Sequence, residues 1–174
     1  MTNAYPEHTW WIPCLYVKKS ALHGNGIFTK QKIKKGEKIM VWGGQLFKKN
    51  DYERARPPTI VPFDHRHYIG LPVSDDSESI DEYLNHSCDP NTWMTDQITM
   101  VARRDIEPDE EITLDWVMWN SDEWEISKSG KCFCSSKNCR KYITPTDWKI
   151  PELQKRYAGH FSPLVQEKID ADSK

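Results

Sequence analysis

Alternating apolar and polar side chains predict two strands in the second half of the chain. In the segment QITMVARRDI (residues 97–106), Ile98, Met100 and Ala102 fall on one face, as expected for a strand with one buried face. A turn at residues 107–109 leads into EEITLDW (residues 110–116). The apolar face of this second strand holds Ile112, Leu114 and Trp116. The pattern therefore predicts a β-rich region here.

The first third of the chain also has a strand pattern. Residues 15–47 contain short apolar runs separated by turns at residues 23–26 and 35–36. In EKIMVWG (residues 37–43) apolar side chains fall on both faces, which is typical of a strand buried on both sides. The segment HYIGLPV (residues 67–73) predicts a further strand. This part of the chain is therefore expected to be β.

Helical patterns are short and few. Residues 50–56 have an Asn or Asp as a possible N-cap and are followed by Pro57, so they predict a short helix. The C-terminal tail has helix-like spacing that is broken at Gly159 and Pro163, which predicts two short helices. We therefore expect one domain that is mainly β, with small curved sheets and short C-terminal helices.

Composition and charge limit the possible partners. The chain has 174 residues, 37% of them apolar, and eight tryptophans. This length and apolar content are sufficient for a folded core. Its net charge of −2 offers no broad basic face, so nucleic acid is not expected as a main partner. The N-terminus lacks a signal-peptide pattern and no apolar run is long enough to cross a membrane. We expect an intracellular, soluble protein that is cytoplasmic, or nuclear in a eukaryote.

Five cysteines include a cluster with the spacing of metal ligands. Cys132, Cys134 and Cys139 lie close together in a turn-rich segment. A structural zinc ion takes four ligands, and Cys88, beside an Asp-Pro turn, is the candidate for the fourth. The alternative is unrelated free thiols, or disulfides formed on oxidation. Cys14 is expected to be a buried apolar residue.

Two polar segments remain ambiguous when each is considered alone. HGNGIF (residues 23–28) is most simply a hairpin turn, although its glycines also allow the backbone to approach a ligand closely. In NHSC (residues 85–88), neighbouring side chains of a strand point to opposite faces, so they cannot form a local nucleophile pair. Asn85 could be a turn or cap residue and His86 a structural histidine. Neither identifies a chemistry without its context.

Five segments in order resemble the SET-domain protein lysine methyltransferases with a post-SET zinc motif. The segments are HGNGIF, GEKIMVWGGQ, YLNHSCDPN, ARRDIEPDEEITLDW and CFCSSKNC. The match covers residues 20–143 and is similar to the small free-standing members of the family. It implies a β-rich SET fold in which the NHSC segment makes a knot-like crossing. The resulting division is an N-terminal extension (1–14), a SET domain (15–120), a zinc-binding post-SET segment (121–143) and a helical tail (144–174).

The resemblance also implies cofactors and site residues. S-adenosylmethionine is expected to contact the loop residues His23, Gly24, Asn25 and Gly26, together with Asn85 and His86. Phe133 and Tyr142 are placed to pack on its adenine. Structural zinc is expected on Cys88, Cys132, Cys134 and Cys139. The substrate is expected to be a protein or peptide with a basic, lysine-containing segment, such as a histone tail. The acidic tract at residues 75–78 could attract such a segment, or could be a solvated loop.

The sequence departs from the family at the channel for the substrate lysine, which tyrosines normally line. Trp116 stands where the family has a catalytic tyrosine, Trp42 aligns with an earlier tyrosine, and Leu114 occupies the Phe/Tyr switch position. Tryptophan has no hydroxyl. Either these three residues form a variant catalytic channel, or the tryptophans are core residues and Tyr68 or Tyr83 supplies a hydroxyl. The alternative function is a catalytically impaired SET module that binds cofactor or a partner peptide. A zinc-dependent nucleic-acid module has only a small basic patch in its favour.

Overall fold

The structure is a computed structural model that describes residues 5–119 and 130–173. Its strands are β1 (Trp10–Trp11), β2 (Leu15–Lys19), β3 (Asn25–Thr29), β4 (Lys38–Val41), β5 (Gln45–Lys48), β6 (Val61–Pro62), β7 (His67–Gly70), β8 (Asn85–His86), β9 (Thr92–Met94), β10 (Thr99–Ala102) and β11 (Glu111–Leu114). Two helices follow, α1 (Pro151–Arg156) and α2 (Pro163–Asp172). The predicted mainly β class with short C-terminal helices is confirmed.

The strands form three small sheets. The first has the order β1-β4-β10-β9, the second β2-β3-β11-β8, and the third β5-β7-β6. All pairs are antiparallel except β8 with β11, where Asn85 is opposite Thr113 and His86 is opposite Leu114. This parallel pair brings the NHSC segment beside a strand that lies more than 20 residues later, so the candidate site forms at the edge of the second sheet.

One main core joins the sheets to the C-terminal tail. Ile39, Met40 and Trp42 are buried, as the double-sided apolar pattern of β4 predicts. From the tail, Trp148, Leu153, Tyr157, Phe161, Val165 and Ile169 pack into the same core. The α2 helix begins at Pro163, and the hydroxyl of Ser162 caps it by accepting a hydrogen bond from Val165 N–H. Pro163 therefore starts the second helix because its ring suits the first helical position.

Three sequence expectations differ in detail. Residues 49–54 form a 3₁₀ segment with non-helical backbone at Asp51, instead of one regular helix. The strand predicted over residues 67–73 ends at Gly70. The strand predicted through Trp116 ends at Leu114, because the Asp115 carboxylate caps a 3₁₀ turn over Trp116–Met118. Trp116 therefore does not continue the face of Ile112 and Leu114, which was an incorrect prediction.

The described helices do not meet the requirements of a membrane span. None of those in residues 5–119 and 130–173 is both long enough and apolar enough to cross a bilayer.

Candidate functional site

A cleft of about 210 Å³ lies between the β2–β3 loop, strand β8 and the cysteine segment. Four separate parts of the sequence form its walls, because Trp116, after strand β11, also lines it. The lining residues are Leu22, His23, Asn85, His86, Trp116, Lys131, Cys132, Phe133, Cys134 and Ile143. Five of the predicted site residues outside the cysteine cluster therefore meet in one cleft, although up to 110 positions separate them in the chain.

Glycine is required at positions 24 and 26 for different structural reasons. Gly24 has φ +49° and open space around the position of a Cβ, so its backbone conformation favours glycine. A Cβ on Gly26 would lie 2.1 Å from Glu111 Oε1 and 3.1 Å from Asn85 Nδ2. A side chain at residue 26 would therefore collide with the protein's own Glu111 carboxylate, whereas the predicted approach of this loop to a cofactor stays a prediction. Asn25 begins β3 between these two glycines.

Asn85 is buried at the edge of the cleft with its amide nitrogen surrounded by oxygen atoms. The two N–H groups of Nδ2 are shared among three acceptors, the carbonyl oxygens of His23 (3.1 Å) and Asn25 (3.0 Å) and Glu111 Oε1 (2.7 Å). Three acceptors around one nitrogen fix the orientation of the amide, because the reverse orientation would face oxygen with oxygen. The amide therefore ties β8 to the loop.

His86 links the cleft to the cysteine cluster through both ring nitrogens. Nδ1 accepts a hydrogen bond from Trp116 N–H at 3.3 Å, so the proton of the neutral ring is on Nε2. Nε2 lies 3.3 Å from Cys88 Sγ and donates to that sulfur. Burial lowers the pKa of His86 to about 4, despite the opposing charge of Asp115. The imidazole is therefore neutral at physiological pH and pairs edge-to-face with the Trp116 ring.

The four cysteines predicted as metal ligands converge. The Sγ atoms of Cys88, Cys132, Cys134 and Cys139 all lie within 4.8 Å of one another, and Cys88 and Cys132 are 3.7 Å apart. Tetrahedral zinc with Zn–S bonds near 2.3 Å requires sulfurs about 3.8 Å apart. None of the four is in a disulfide. The donor set and its spacing fit a structural zinc ion.

Backbone N–H groups point at these sulfurs, as expected around thiolates. Arg140 N–H donates to Cys88 Sγ and Cys88 N–H to Cys134 Sγ, both at 3.4 Å. Burial raises the pKa of Cys88 well above its usual value and that of Cys132 to about 11. Burial would also raise the pKa of Cys134, but hydrogen bonds from Ser136 and Cys88 lower it to about 6. A cation bound among the sulfurs would favour the thiolate form of the buried Cys88 and Cys132.

The predicted aromatic residues do not all reach the cleft. Phe133 lines it and is 51% exposed, whereas Tyr142 is 63% exposed and lies outside the lining. Trp116 forms part of the wall. Trp42 and Leu114 are buried in the main core, and the Trp42 ring packs on Trp119 with centroids 5.0 Å apart.

The two tyrosines considered as alternative hydroxyl donors also lie elsewhere. Tyr68 belongs to a small core cluster with Phe47, Ala55 and Ile60. Tyr83 lines a second cleft, described below. Within residues 5–119 and 130–173, the lining of the first cleft contains no hydroxyl side chain.

A buried charge network behind the cleft was not anticipated from the sequence. Arg140 binds both carboxylate oxygens of Asp115, at 2.6 and 2.8 Å, and its Nε donates to Asp147 at 2.7 Å. The Tyr157 hydroxyl lies 3.1 Å from Asp115 Oδ2. Because these residues belong to four separate parts of the chain, no local pattern indicated their contact. The network joins the cysteine segment to the C-terminal tail.

A second cleft of about 510 Å³ lies beside strand β2. It is lined by aromatic, acidic and apolar groups. The lining residues are Trp11, Leu15, Tyr16, Val17, Arg56, Asp76, Ser77, Glu78, Ser79, Ile80, Glu82 and Tyr83. It includes part of the acidic tract noted in the sequence, and Asp76 and Glu78 are exposed there.

Comparison with known proteins agrees with this architecture. The family model described as SET domain matches residues 24–117, more than half of the chain. The chain therefore belongs to the SET-domain family. It is similar to the histone-lysine N-methyltransferase Set2 of Drosophila melanogaster, with 31% identity over 155 residues, and to the H3 lysine-9 specific histone-lysine N-methyltransferase KMT1 of Fusarium mangiferae, with 27% identity over 178 residues.

The lengths of these relatives differ from that of the chain. The match with Set2 covers 80% of this chain but 6% of the relative, and the match with KMT1 covers 81% and 51%. Among solved structures, the methyltransferase domain of human histone-lysine N-methyltransferase SETMAR aligns with a TM-score of 0.56 and 20% identity, covering 74% of this chain and 57% of that one. This structural similarity confirms the SET-like fold.

Proposed function

We propose that the chain transfers a methyl group from S-adenosylmethionine to the side-chain amine of a lysine in a protein. The observation that supports this most strongly is the single cleft formed by His23, Asn85, His86, Trp116 and Phe133, with Cys132 and Cys134 of the four-thiol cluster in its wall. Membership of the SET-domain family and relatives named histone-lysine N-methyltransferases support the same reaction.

The residues of the cleft fit the parts of this cofactor. The loop from His23 to Gly26 and the Asn85 side chain provide polar groups for the amino-acid end, and His86 lies between this end and the zinc ligands. Phe133 offers an aromatic surface for adenine, and stacking of this kind contributes about 1 kcal/mol beyond burial. Tyr142 belongs to this proposal as a second aromatic that closes over the adenine.

When bound, S-adenosylmethionine supplies an electrophilic methyl group, and the protein must present a neutral amine in line with it. Lysine has an ordinary pKa of about 10.4, so a channel has to favour the uncharged amine by excluding water. The indole of Trp116 provides an apolar wall for this purpose, and His86 holds the Trp116 backbone by its hydrogen bond. Trp42 and Leu114 would act on this channel only indirectly, because both lie in the main core.

Structural zinc is the second proposed cofactor. The ion would be held by Cys88, Cys132, Cys134 and Cys139 and would supply a crosslink between the NHSC segment and the cysteine loop. Cys132 and Cys134 also line the cleft, so the same crosslink shapes its wall. An intracellular location accompanies this proposal, because a set of reduced thiols persists in reducing compartments.

A catalytically impaired SET module is the second candidate function. The observation in its favour is that the described cleft lining offers tryptophan and no hydroxyl where the family has tyrosines. Such a module would bind cofactor, or hold a partner peptide, without turnover. Replacing Trp116 with Tyr separates the two candidates: a large gain in transfer indicates a disabled site, and a loss indicates that the indole belongs to a working channel.

The direct test is transfer of a labelled methyl group from S-adenosylmethionine to histones and to a cell extract, with zinc-loaded protein. Cofactor binding is measured by calorimetry in parallel. Labelled lysine in a protein product supports the enzyme. Binding without transfer to any substrate in the panel supports the impaired module, and the absence of binding contradicts both.

The substrate is proposed to be a basic segment of a protein, as the names of the relatives indicate for those proteins. The exposed carboxylates of Asp76 and Glu78 at the second cleft suit such a segment. Replacing both with their amides should lower transfer to a basic peptide and leave cofactor affinity unchanged. Equal activity of the variant and the wild type would contradict this role.

A further inference from the structure

Glu111, the first residue of β11, connects two parts of the cleft that are far apart in sequence. Its Oε1 accepts from Asn85 Nδ2 at 2.7 Å, and both of its oxygens lie 2.8 Å from the Ser20 hydroxyl, which donates to the carboxylate. An ionised carboxylate only accepts hydrogen bonds, and bonds to it are stronger than neutral ones. Glu111 therefore holds both Ser20, at the start of the β2–β3 loop, and Asn85, on β8.

Ser20 transmits this contact to the loop backbone. Its oxygen accepts from Leu22 N–H at 2.8 Å and from His23 N–H at 3.4 Å. A serine hydroxyl has one proton and two lone pairs, so donation to Glu111 leaves both lone pairs for these N–H groups. Both Leu22 and His23 line the cleft. The carboxylate thus orients the hydroxyl that shapes this wall.

On the opposite side, Glu111 completes the shell around the Asn85 amide nitrogen. With His23 and Asn25 it forms the set of three acceptors described above. This arrangement leaves Asn85 Oδ1 as the amide atom available to a ligand in the cleft. A carbonyl oxygen accepts from N–H groups, so it suits the α-ammonium group of an amino acid.

Gly26 shows that this position of Glu111 is built into the fold. The position of a Cβ on Gly26 lies 2.1 Å from Glu111 Oε1 and 2.8 Å from its carboxyl carbon. A side chain at residue 26 would therefore occupy the space of the carboxylate. Ser20, Gly26, Asn85 and Glu111 form one interdependent group that joins the start of the β2–β3 loop to β3, β8 and β11.

We infer that Glu111 is a positioning residue for the amino-acid end of the cofactor. It acts through Ser20 and Asn85, which order the cleft wall and present Asn85 Oδ1 to the ammonium group. This inference rests on the proposed function, because it assigns a part of the proposed S-adenosylmethionine site. It predicts that loss of Glu111 weakens only ligands that carry the amino-acid end.

The experiment compares two ligands on four proteins by calorimetry. S-adenosylhomocysteine retains the amino-acid end, and 5′-methylthioadenosine lacks it. The proteins are the zinc-loaded wild type, Glu111→Ala, Glu111→Gln and the control Glu107→Gln, which removes a carboxylate from the exposed Lys32–Glu107 ion pair. We expect about tenfold weaker binding of S-adenosylhomocysteine to Glu111→Ala, with a smaller loss for Glu111→Gln because its amide oxygen still accepts. The affinity for 5′-methylthioadenosine should change less than twofold in every variant.

The experiment distinguishes failure of the proposed function from failure of this inference. If the wild type binds neither ligand, the proposed function is contradicted and this inference with it. If the wild type binds but Glu111→Ala weakens both ligands equally, or neither, the inference alone is overturned. Should Glu111→Ala not fold, Ser20→Ala takes its place, with the same selective loss expected.

Amide hydrogen exchange provides a test that needs no ligand. The N–H group of Leu22 should exchange faster in Glu111→Ala than in the wild type, because its acceptor is no longer held in place. The control Glu107→Gln should leave this rate unchanged. An unchanged rate in Glu111→Ala would contradict the role of the Glu111–Ser20 contact.

Discussion

Asp81 is a buried carboxylic acid whose titration should be visible in the stability of the protein. It is 5% exposed, accepts hydrogen bonds from the hydroxyls of Thr9 and Ser79, and forms no ion pair within residues 5–119 and 130–173. Burial raises its pKa from 3.8 to about 6, more than the two hydroxyl donors lower it. A deprotonated Asp81 is therefore a destabilising charge.

The sign and size of the effect follow from the two pKa values. Between pH 3.8 and 6 the folded state binds the proton more tightly than the unfolded state, so the stability contributed by this group falls as pH rises. The free-energy cost of burying the ionised Asp81 is absent below pH 3.8 and reaches its full value above pH 6. A shift of about two pKa units corresponds to about 3 kcal/mol.

Replacement of Asp81 with Asn removes the charge and keeps the shape. We expect Asp81→Asn to be more stable than the wild type by about 1–3 kcal/mol at pH 8, because a changed hydrogen bond to Thr9 or Ser79 offsets part of the gain. The advantage should shrink as pH falls and disappear near pH 4. Urea unfolding at several pH values, followed by tryptophan fluorescence with zinc held constant, measures this difference.

Asp105→Asn is the matched control. A hydrogen bond from Lys35 N–H, followed by one from Lys32, lowers the pKa of this exposed carboxylate. The stability contributed by the Asp105 carboxylate is lost as pH falls. Asp105→Asn should therefore be less stable than the wild type at neutral pH, and this deficit should shrink as pH falls. If Asp81→Asn differs from the wild type by the same free energy from pH 4 to pH 8, Asp81 titrates normally and the reasoning is wrong.

Three further predictions concern the site. Gly26→Ala places a methyl group against Glu111 and should lower the free energy of unfolding by about 1–3 kcal/mol. Adding Glu111→Ala should recover most of that loss in urea unfolding, whereas additive losses would contradict the steric explanation. Arg140→Met leaves the buried carboxylates of Asp115 and Asp147 unpaired and should cost about 3–5 kcal/mol. A loss below about 1 kcal/mol in the same assay would show that solvent screens the network. Chelation of the metal should expose the four clustered thiols to a thiol reagent and weaken cofactor binding, because Cys132 and Cys134 line the cleft. Unchanged cofactor affinity after complete metal removal would show that the cluster and the cleft are independent.

Local sequence patterns were sufficient for many of the elements. Strands β4, β10 and β11 follow from their apolar spacing, and the two C-terminal helices follow from the tail pattern. The NHSC and CFCSSKNC segments predicted a shared four-thiol cluster, which the structure brings together. These predictions succeeded because backbone periodicity and thiol chemistry depend on neighbouring residues.

The end of β11 shows where local reasoning fails. Apolar alternation continued the strand to Trp116, but the Asp115 carboxylate is buried by Arg140 and caps the following turn. This long-range ion pair turns the chain and places Trp116 in the cleft wall, while Trp42 and Leu114 remain in the core. The sequence pattern could not distinguish these positions.

What the sequence by itself determined is several of the longer strands, the family resemblance and the metal-binding residue types, since these depend on local spacing and chemistry. Only the tertiary structure decided that Glu111 contacts Ser20 and Asn85, and that Arg140 joins Asp115 to Asp147. Such contacts form between strands and segments that are distant in the chain. Their energy depends on burial and on the simultaneous placement of charged groups, which no local pattern records.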